Sequence, residues 1–309
     1  MSDGAKRHAL LKLPRLKIIV GVPENSIDFG TMPLRRDSYV LNMIRAAEWF
    51  HDREIERLNR PVDDNEPDLH PGIGGDAYYD DSNNEVHVPS PVRASGVRDE
   101  DLDDAFVYGS TTLGHEIAHA FDSEGRHYDA DGNKVDWWTA ADAEAFNERA
   151  QVLIDQYSEF MPLEGLRIDG RRTLRENMAD LMGVRVALDA FKRTPQFRTN
   201  ARVGGFTPLQ RFLLAFAYSH MGHERRESLT ARLKGGAYAP NRERVNGVLM
   251  NLPEFHEAFG VKSGDRMYRP ESARARIWHP VSITRFGGAR KAAGAARARL
   301  RLVERRLSP

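Results

Sequence analysis

Two histidines four residues apart constrain this chain more than any other feature. They stand in Gly114-His115-Glu116-Ile117-Ala118-His119. On a helix, residues at that spacing share a face, so both imidazoles can reach one ion. Glu116, next to His115, points to the rim of the same face, where it can take a proton from an activated water. The chain has no cysteine, which removes thiolate ligands and disulfides. A metal held here must therefore rest on histidine and carboxylate.

A second segment supplies that carboxylate. In Glu176-Asn177-Met178-Ala179-Asp180 the two acids again share one helical face. Glu176 can be the third protein ligand. Asp180 can accept a hydrogen bond from the free ring nitrogen of a ligand histidine and fix its tautomer. Three protein ligands with one open position is the arrangement of catalytic rather than structural zinc. Without the histidine pair, Glu176 and Asp180 would read as a solvated helix face.

The rest of the chain predicts an α+β fold, mostly helical around a small mixed sheet. Lys17 to Val20 is a β-branched run expected to form a strand. Residues 37–58 place Leu41, Ile44, Ala47 and Phe50 on one helical face. Residues 61–72 form a loop rich in Asp and Pro. A hairpin is expected from Ala77-Tyr78-Tyr79 through a turn at Asp81-Ser82-Asn83-Asn84 to Val86-His87-Val88. The acids from Asp99 to Asp104 suit the N-terminus of a helix running over 104–121. Thr139 is the expected N-cap of a helix reaching Phe160, and Arg172 to Phe191 and residues 207–221 are further helices.

The 309 residues carry no net charge, but residues 281–309 hold eight Lys or Arg against Glu304. The organisation expected is a domain over 1–280 and a basic extension over 281–309, helical or disordered. No apolar run approaches the length of a membrane span, and the N-terminus lacks a signal-peptide core. These features predict a soluble, cytoplasmic protein with no nucleic-acid role.

Taken with its flanks, the histidine segment resembles the neprilysin-type zinc metallopeptidases, of the gluzincin group. The likeness runs through Ala120-Phe121-Asp122, Gly125-Arg126, Asp129-Ala130-Asp131-Gly132-Asn133 and Asp136-Trp137-Trp138-Thr139. It continues at Leu174, Glu176-Asn177-Met178-Ala179-Asp180, Arg244-Val245-Asn246-Gly247, Asn251-Leu252-Pro253-Glu254-Phe255 and Arg276-Ile277-Trp278. The resemblance implies a thermolysin-like catalytic core that cleaves oligopeptides. By that likeness His115, His119 and Glu176 bind Zn2+, Glu116 is the general base and Asp180 orients His115. Asp122 is a partner of the site or a cap of the helix end.

Four departures from the family pattern bear on function. The family's oxyanion-stabilising histidine, in a D-x-H-S-P segment, is replaced in Gly236-Ala237-Tyr238-Ala239-Pro240. Tyr238 takes the histidine's place and Gly236 that of its orienting aspartate; a phenol donates its O–H without a carboxylate to set a tautomer. Arg244 matches the arginine expected to hold a substrate carbonyl, with a surface salt bridge as the alternative. The substrate-binding edge strand, Asn-Ala-Tyr in the family, reads Asp76-Ala77-Tyr78, which keeps the backbone but not the amide donor. Pocket positions that are usually apolar match Thr111, Thr112, Ser219 and His220; His220 either contacts substrate or is hydrogen-bonded in the core. Finally, full-length relatives carry a helical lid domain before this region, so either the site is open or a separate lid-domain protein covers it.

Three functions follow as expectations: an active zinc endopeptidase, a catalytically weakened or inactive zinc-binding subunit that serves a partner chain, or a hydrolase of a non-peptide amide. The intact Glu116 separates the first from the second.

Overall fold

The computed structural model describes residues 1–20, 28–61, 76–88 and 103–278. The expected loop over 61–72 beyond residue 61, the acids before Asp103 and the basic extension lie outside these. Three strands form one mixed sheet in the order β1-β3-β2: β1 is Lys17–Val20, β2 Tyr78–Asp80 and β3 Glu85–Val88. β1 runs parallel to β3, and β2 antiparallel to it. The hairpin between β2 and β3 closes because Asp80 accepts hydrogen bonds from the Ser82 backbone and hydroxyl, and Asn84 takes a left-handed turn at φ 51°.

The N-terminal segment is a helix that the sequence pattern did not announce. α1 spans Asp3–Arg15 with Ser2 as N-cap, although it is basic and carries Pro14 in its last turn. Its Lys12 is fully buried and donates to the carbonyls of Ala120, Gly125 and Tyr128. The next helix, α2 (Tyr39–Leu58), forms as its periodicity predicts, yet none of its residues is buried. Phe29, Trp49 and Phe50 pack on one another there, and Val40, Met43, Ile44 and Leu58 are exposed.

The single helix expected over 104–121 is two. α3 (Asp104–Gly109) and α4 (Thr112–His119) are separated at Thr111, whose φ is +58°. The break lets two contacts form that one straight rod could not make. α3 packs on a later helix so closely that a Cβ on Gly109 would stand 2.7 Å from the Phe212 carbonyl. α4 turns instead toward the helix that carries Glu176.

Behind them lies the helical core. α5 (Ala140–Glu159) begins at Thr139 with a capping box to Asp142, as its sequence predicts. α6 is Leu174–Phe191, followed by α7 (Pro195–Thr199), α8 (Pro208–Ser219), α9 (Arg226–Gly235), α10 (Asn241–Leu249) and α11 (Pro253–Phe259). Leu153 and Tyr157 of α5, Leu181 and Phe191 of α6, and Phe212 and Phe216 of α8 are buried in one cluster. Each such side chain contributes about 1.5–3 kcal/mol through removal from water. Buried Asn251 locks the C-terminal side: its amide donates to Gln156 of α5 and to the Gly247 carbonyl of α10, and its oxygen accepts from Ala275 N–H. That lock fixes α10, and with it Arg244, against the core. A smaller cluster of Tyr79, Val86 and Ala120, flanked by Ile117 and Phe121, seats the sheet on α4.

Candidate metal centre

α4 and α6 meet backbone to backbone. A Cβ on Gly114 would lie 2.5 Å from the Gly183 carbonyl oxygen. At that crossing the helical spacing points His115 and His119 from one side at Glu176 and Asp180 from the other. His115 Nε2 is 3.2 Å from His119 Nε2 and 3.3 Å from Glu176 Oε2; His119 Nε2 is 3.7 Å from the same oxygen. All three residues are buried.

The outer nitrogens explain the inner ones. His115 Nδ1 is 2.8 Å from Asp180 Oδ1, and His119 Nδ1 is 2.5 Å from Asp122 Oδ2. A carboxylate only accepts, so each Nδ1 carries a proton, and a ring that gives up its Nε2 proton to a metal turns that lone pair inward. Three electron-rich atoms thus face one another, and Glu176 Oε2 is buried without a hydrogen-bond partner. Ligands about 2.0–2.1 Å from a tetrahedral zinc stand roughly 3.3 Å apart. The donor set and its spacing fit that ion.

Charge at the centre points the same way. Burial pulls the His115 pKa down, but the Asp180 hydrogen bond and the nearby Glu176 and Glu116 carboxylates prevail and raise it to about 9. The cluster therefore draws positive charge. Burial would raise the Asp180 carboxyl, yet Arg244 and His115 hold it well below the usual carboxylate range. Arg244 grips Asp180 at two points, Nε to Oδ2 and Nη2 to Oδ1, both at 2.7 Å. The expected choice for Arg244 lay between a substrate carbonyl and a surface salt bridge; its pair is a partly buried, bidentate one with the buried Asp180 inside the site.

Glu116 is buried beside the ligands, and burial raises its pKa despite the pull of His115 and His119. Tyr238 is 43% exposed, with the Arg244 guanidinium 5.0 Å from its ring centroid. Burial and then the Glu176 charge raise its phenol pKa, so it stays a donor. Asp76 is exposed, Ala77 half-buried, and Tyr78 opens β2, stacked on His87 at 4.5 Å. Thr111 is buried at the turn before α4 and Thr112 is exposed. His220 closes α8: its Nδ1 is 3.1 Å from the Phe216 carbonyl, its ring lies edge-on to Phe216, and it is half-buried. Asp122 both orients His119 and ends the turn after α4, accepting from the Glu124 and Gly125 N–H groups.

Sequence reasoning missed Lys12, Arg175, Gly183 and the structural use of Gly114. Arg175 donates to Asp122 and Asp81. Its adjacency to Glu176 was the one available signal.

A two-histidine, one-glutamate centre carried by two touching helices, on a helical body with a small mixed sheet, defines a thermolysin-like zincin. The family model described as peptidase family M13 matches residues 76–275, and the chain belongs to that family. It is 31% identical over 301 residues to neprilysin-1 of Caenorhabditis elegans, covering 90% of this chain and 39% of that protein. It is 29% identical over 280 residues to an endothelin-converting enzyme homologue of Locusta migratoria, covering 86% and 38%. A zinc metalloprotease of Mycobacterium tuberculosis, solved with an inhibitor, superposes with a TM-score of 0.80 at 33% identity, over 90% of this chain and 44% of that one. The chain thus spans less than half the length of these relatives. Among the described residues no helix is long and apolar enough to cross a membrane.

Proposed function

We propose that this chain hydrolyses peptide bonds as a zinc endopeptidase. The observation that carries the reading is the convergence of His115, His119 and Glu176 beside a buried Glu116. Zinc held by those three side chains would supply Lewis acidity to a water and to the scissile carbonyl. Glu116 takes the proton of the attacking water and passes it to the departing amine, a transfer that its raised pKa favours. Tyr238 donates its O–H to the carbonyl oxygen as negative charge develops there, in the role a histidine fills in the family. Arg244, clamped by Asp180, stands beside that phenol and adds positive charge on the same side. An extended peptide pairs its backbone along Asp76-Ala77-Tyr78, and His220 meets a substrate side chain.

The test combines zinc content with cleavage of a mixed peptide library, wild type against Glu116→Gln. Stoichiometric zinc with cleavage that vanishes in the variant is expected. Zinc without cleavage would move the chain to the second reading, a zinc-binding subunit, which the exposure of Tyr238 and the absence of an aspartate at Gly236 favour.

A separate helical chain covering the site belongs to the same reading. Its support is α2, whose exposed Val40, Met43, Ile44 and Leu58 form an apolar face of the kind that helices bury on one another. Full peptidase activity from a monomer in size-exclusion chromatography would remove the need for that partner.

A further inference from the structure

Arg175 directly precedes Glu176 on α6, and its guanidinium spans two carboxylates. Its Nε donates to Asp122 Oδ2 at 3.0 Å and its Nη2 to Asp81 Oδ2 at 3.0 Å. The first of these oxygens also accepts the His119 Nδ1 proton. The second belongs to the turn that leaves β2, one residue after Asp80. We propose that Arg175 is a positioning residue that ties the hairpin of the edge strand to the His119–Asp122 pair, so that one planar group sets both the ligand histidine and the strand carrying Tyr78.

Three observations carry this. Asp122 is fully buried and all of its acceptor capacity is directed: Oδ1 takes the Glu124 and Gly125 N–H groups, and Oδ2 takes His119 and Arg175. Its plane, and hence the plane of the His119 ring, follows from those four donors. Asp81 has no such set. Its Oδ1 is buried without a partner, and its Oδ2 accepts from Arg175. A half-satisfied carboxylate keeps its place in the hairpin turn because a cation reaches it. Finally, Nε–H and Nη2–H leave one edge of a rigid plane, so moving either carboxylate moves the other. A lysine can reach two acceptors but has no rigid plane, so it would not fix the two carboxylates relative to each other. Lys12 braces the same region from below, donating to Ala120, Gly125 and Tyr128 on the turn that contains Asp122.

The strand half of the inference rests on the peptidase reading; the histidine half does not. The experiment is therefore zinc affinity by competition with a chromogenic chelator, measured for wild type, Arg175→Gln, Arg175→Lys, Asp81→Ala and the Arg175→Gln/Asp81→Ala double variant. Arg175→Gln is expected to weaken zinc by about 10–100-fold, the usual effect of losing a group behind a ligand. Arg175→Lys should recover little of this. Asp81→Ala should weaken zinc less, and the double variant no more than Arg175→Gln alone. With a cleavable peptide, Asp81→Ala should raise KM and leave kcat near wild type. Zinc affinity within twofold of wild type in Arg175→Gln, or single effects that simply add in the double variant, overturns the proposal. If Arg175→Gln loses its helical circular dichroism, Asp81→Ala decides, and unchanged zinc affinity together with unchanged KM there is overturning. A wild type that binds zinc but cleaves nothing refutes the peptidase reading and leaves the zinc comparison to judge this one.

Discussion

Gly183 stands so close to the metal helix that a methyl group on its Cα would lie 2.6 Å from the His115 backbone nitrogen. Neither glycine at the crossing, Gly114 nor Gly183, supplies an atom to the ion, yet their missing side chains set how near Glu176 comes to the histidines. Gly183→Ala must push α6 away from α4, because backbone rather than a flexible side chain stands in the way. The expected result is a loss of about 1–3 kcal/mol in urea denaturation, together with weaker zinc binding by chelator competition. A variant with wild-type stability and zinc affinity would show that the crossing has slack.

Glu116→Gln keeps the shape of the side chain and removes its basicity. Zinc content is expected to stay at the wild-type level while kcat falls by about 10²–10⁴. A variant that cleaves peptides at the wild-type rate would take the general-base role from Glu116.

Tyr238→Phe deletes one hydroxyl beside Arg244. If that hydroxyl donates to the developing oxyanion, kcat should fall by about 10²–10³ with KM little changed. Unchanged turnover would eliminate the donor role and leave Arg244 as the remaining side-chain candidate.

Lys12 links stability to pH in a direction that can be worked out. Burial lowers its ammonium pKa from 10.5 to about 8, against the opposing pull of Asp81 and Asp122. Between those values the unfolded chain holds a proton that the folded chain has released, so unfolding free energy rises with pH there. Below pH 8 both states are protonated and this contribution is flat. Lys12→Met should remove that slope, so the stability gap between wild type and variant should shift in favour of wild type as pH climbs past 8. At neutral pH the variant leaves three carbonyls without their donor and should lose about 1–3 kcal/mol. Parallel pH profiles of the two proteins would mean that Lys12 titrates as an ordinary lysine.

Much of the centre was legible before any coordinates. His115 and His119, and separately Glu176 and Asp180, are neighbours within one helix, and helical periodicity alone places each pair on one face. Thr139 announced α5 because a cap acts on the next three residues, and Lys17–Val20 and the 78–88 hairpin follow from β-branched runs around a turn. The break at Thr111 was not read: Gly109-Ser110-Thr111-Thr112 is a run of weak helix formers, but whether the helix breaks there is decided by α8 on one side and α6 on the other. Nor did the pattern on α2 reveal that its apolar residues stay uncovered.

The sequence by itself determined which side chains could ligate a metal and that the segments carrying them would be helical, because those properties are carried by neighbours a few residues apart. Tertiary structure alone decided that Gly114 meets Gly183, that Lys12 rises into the turn beneath Asp122, and that Arg175 reaches Asp81 across 94 residues of chain. Such juxtapositions come from the packing of whole elements, whose free energy is shared among many buried side chains and is written in no local pattern.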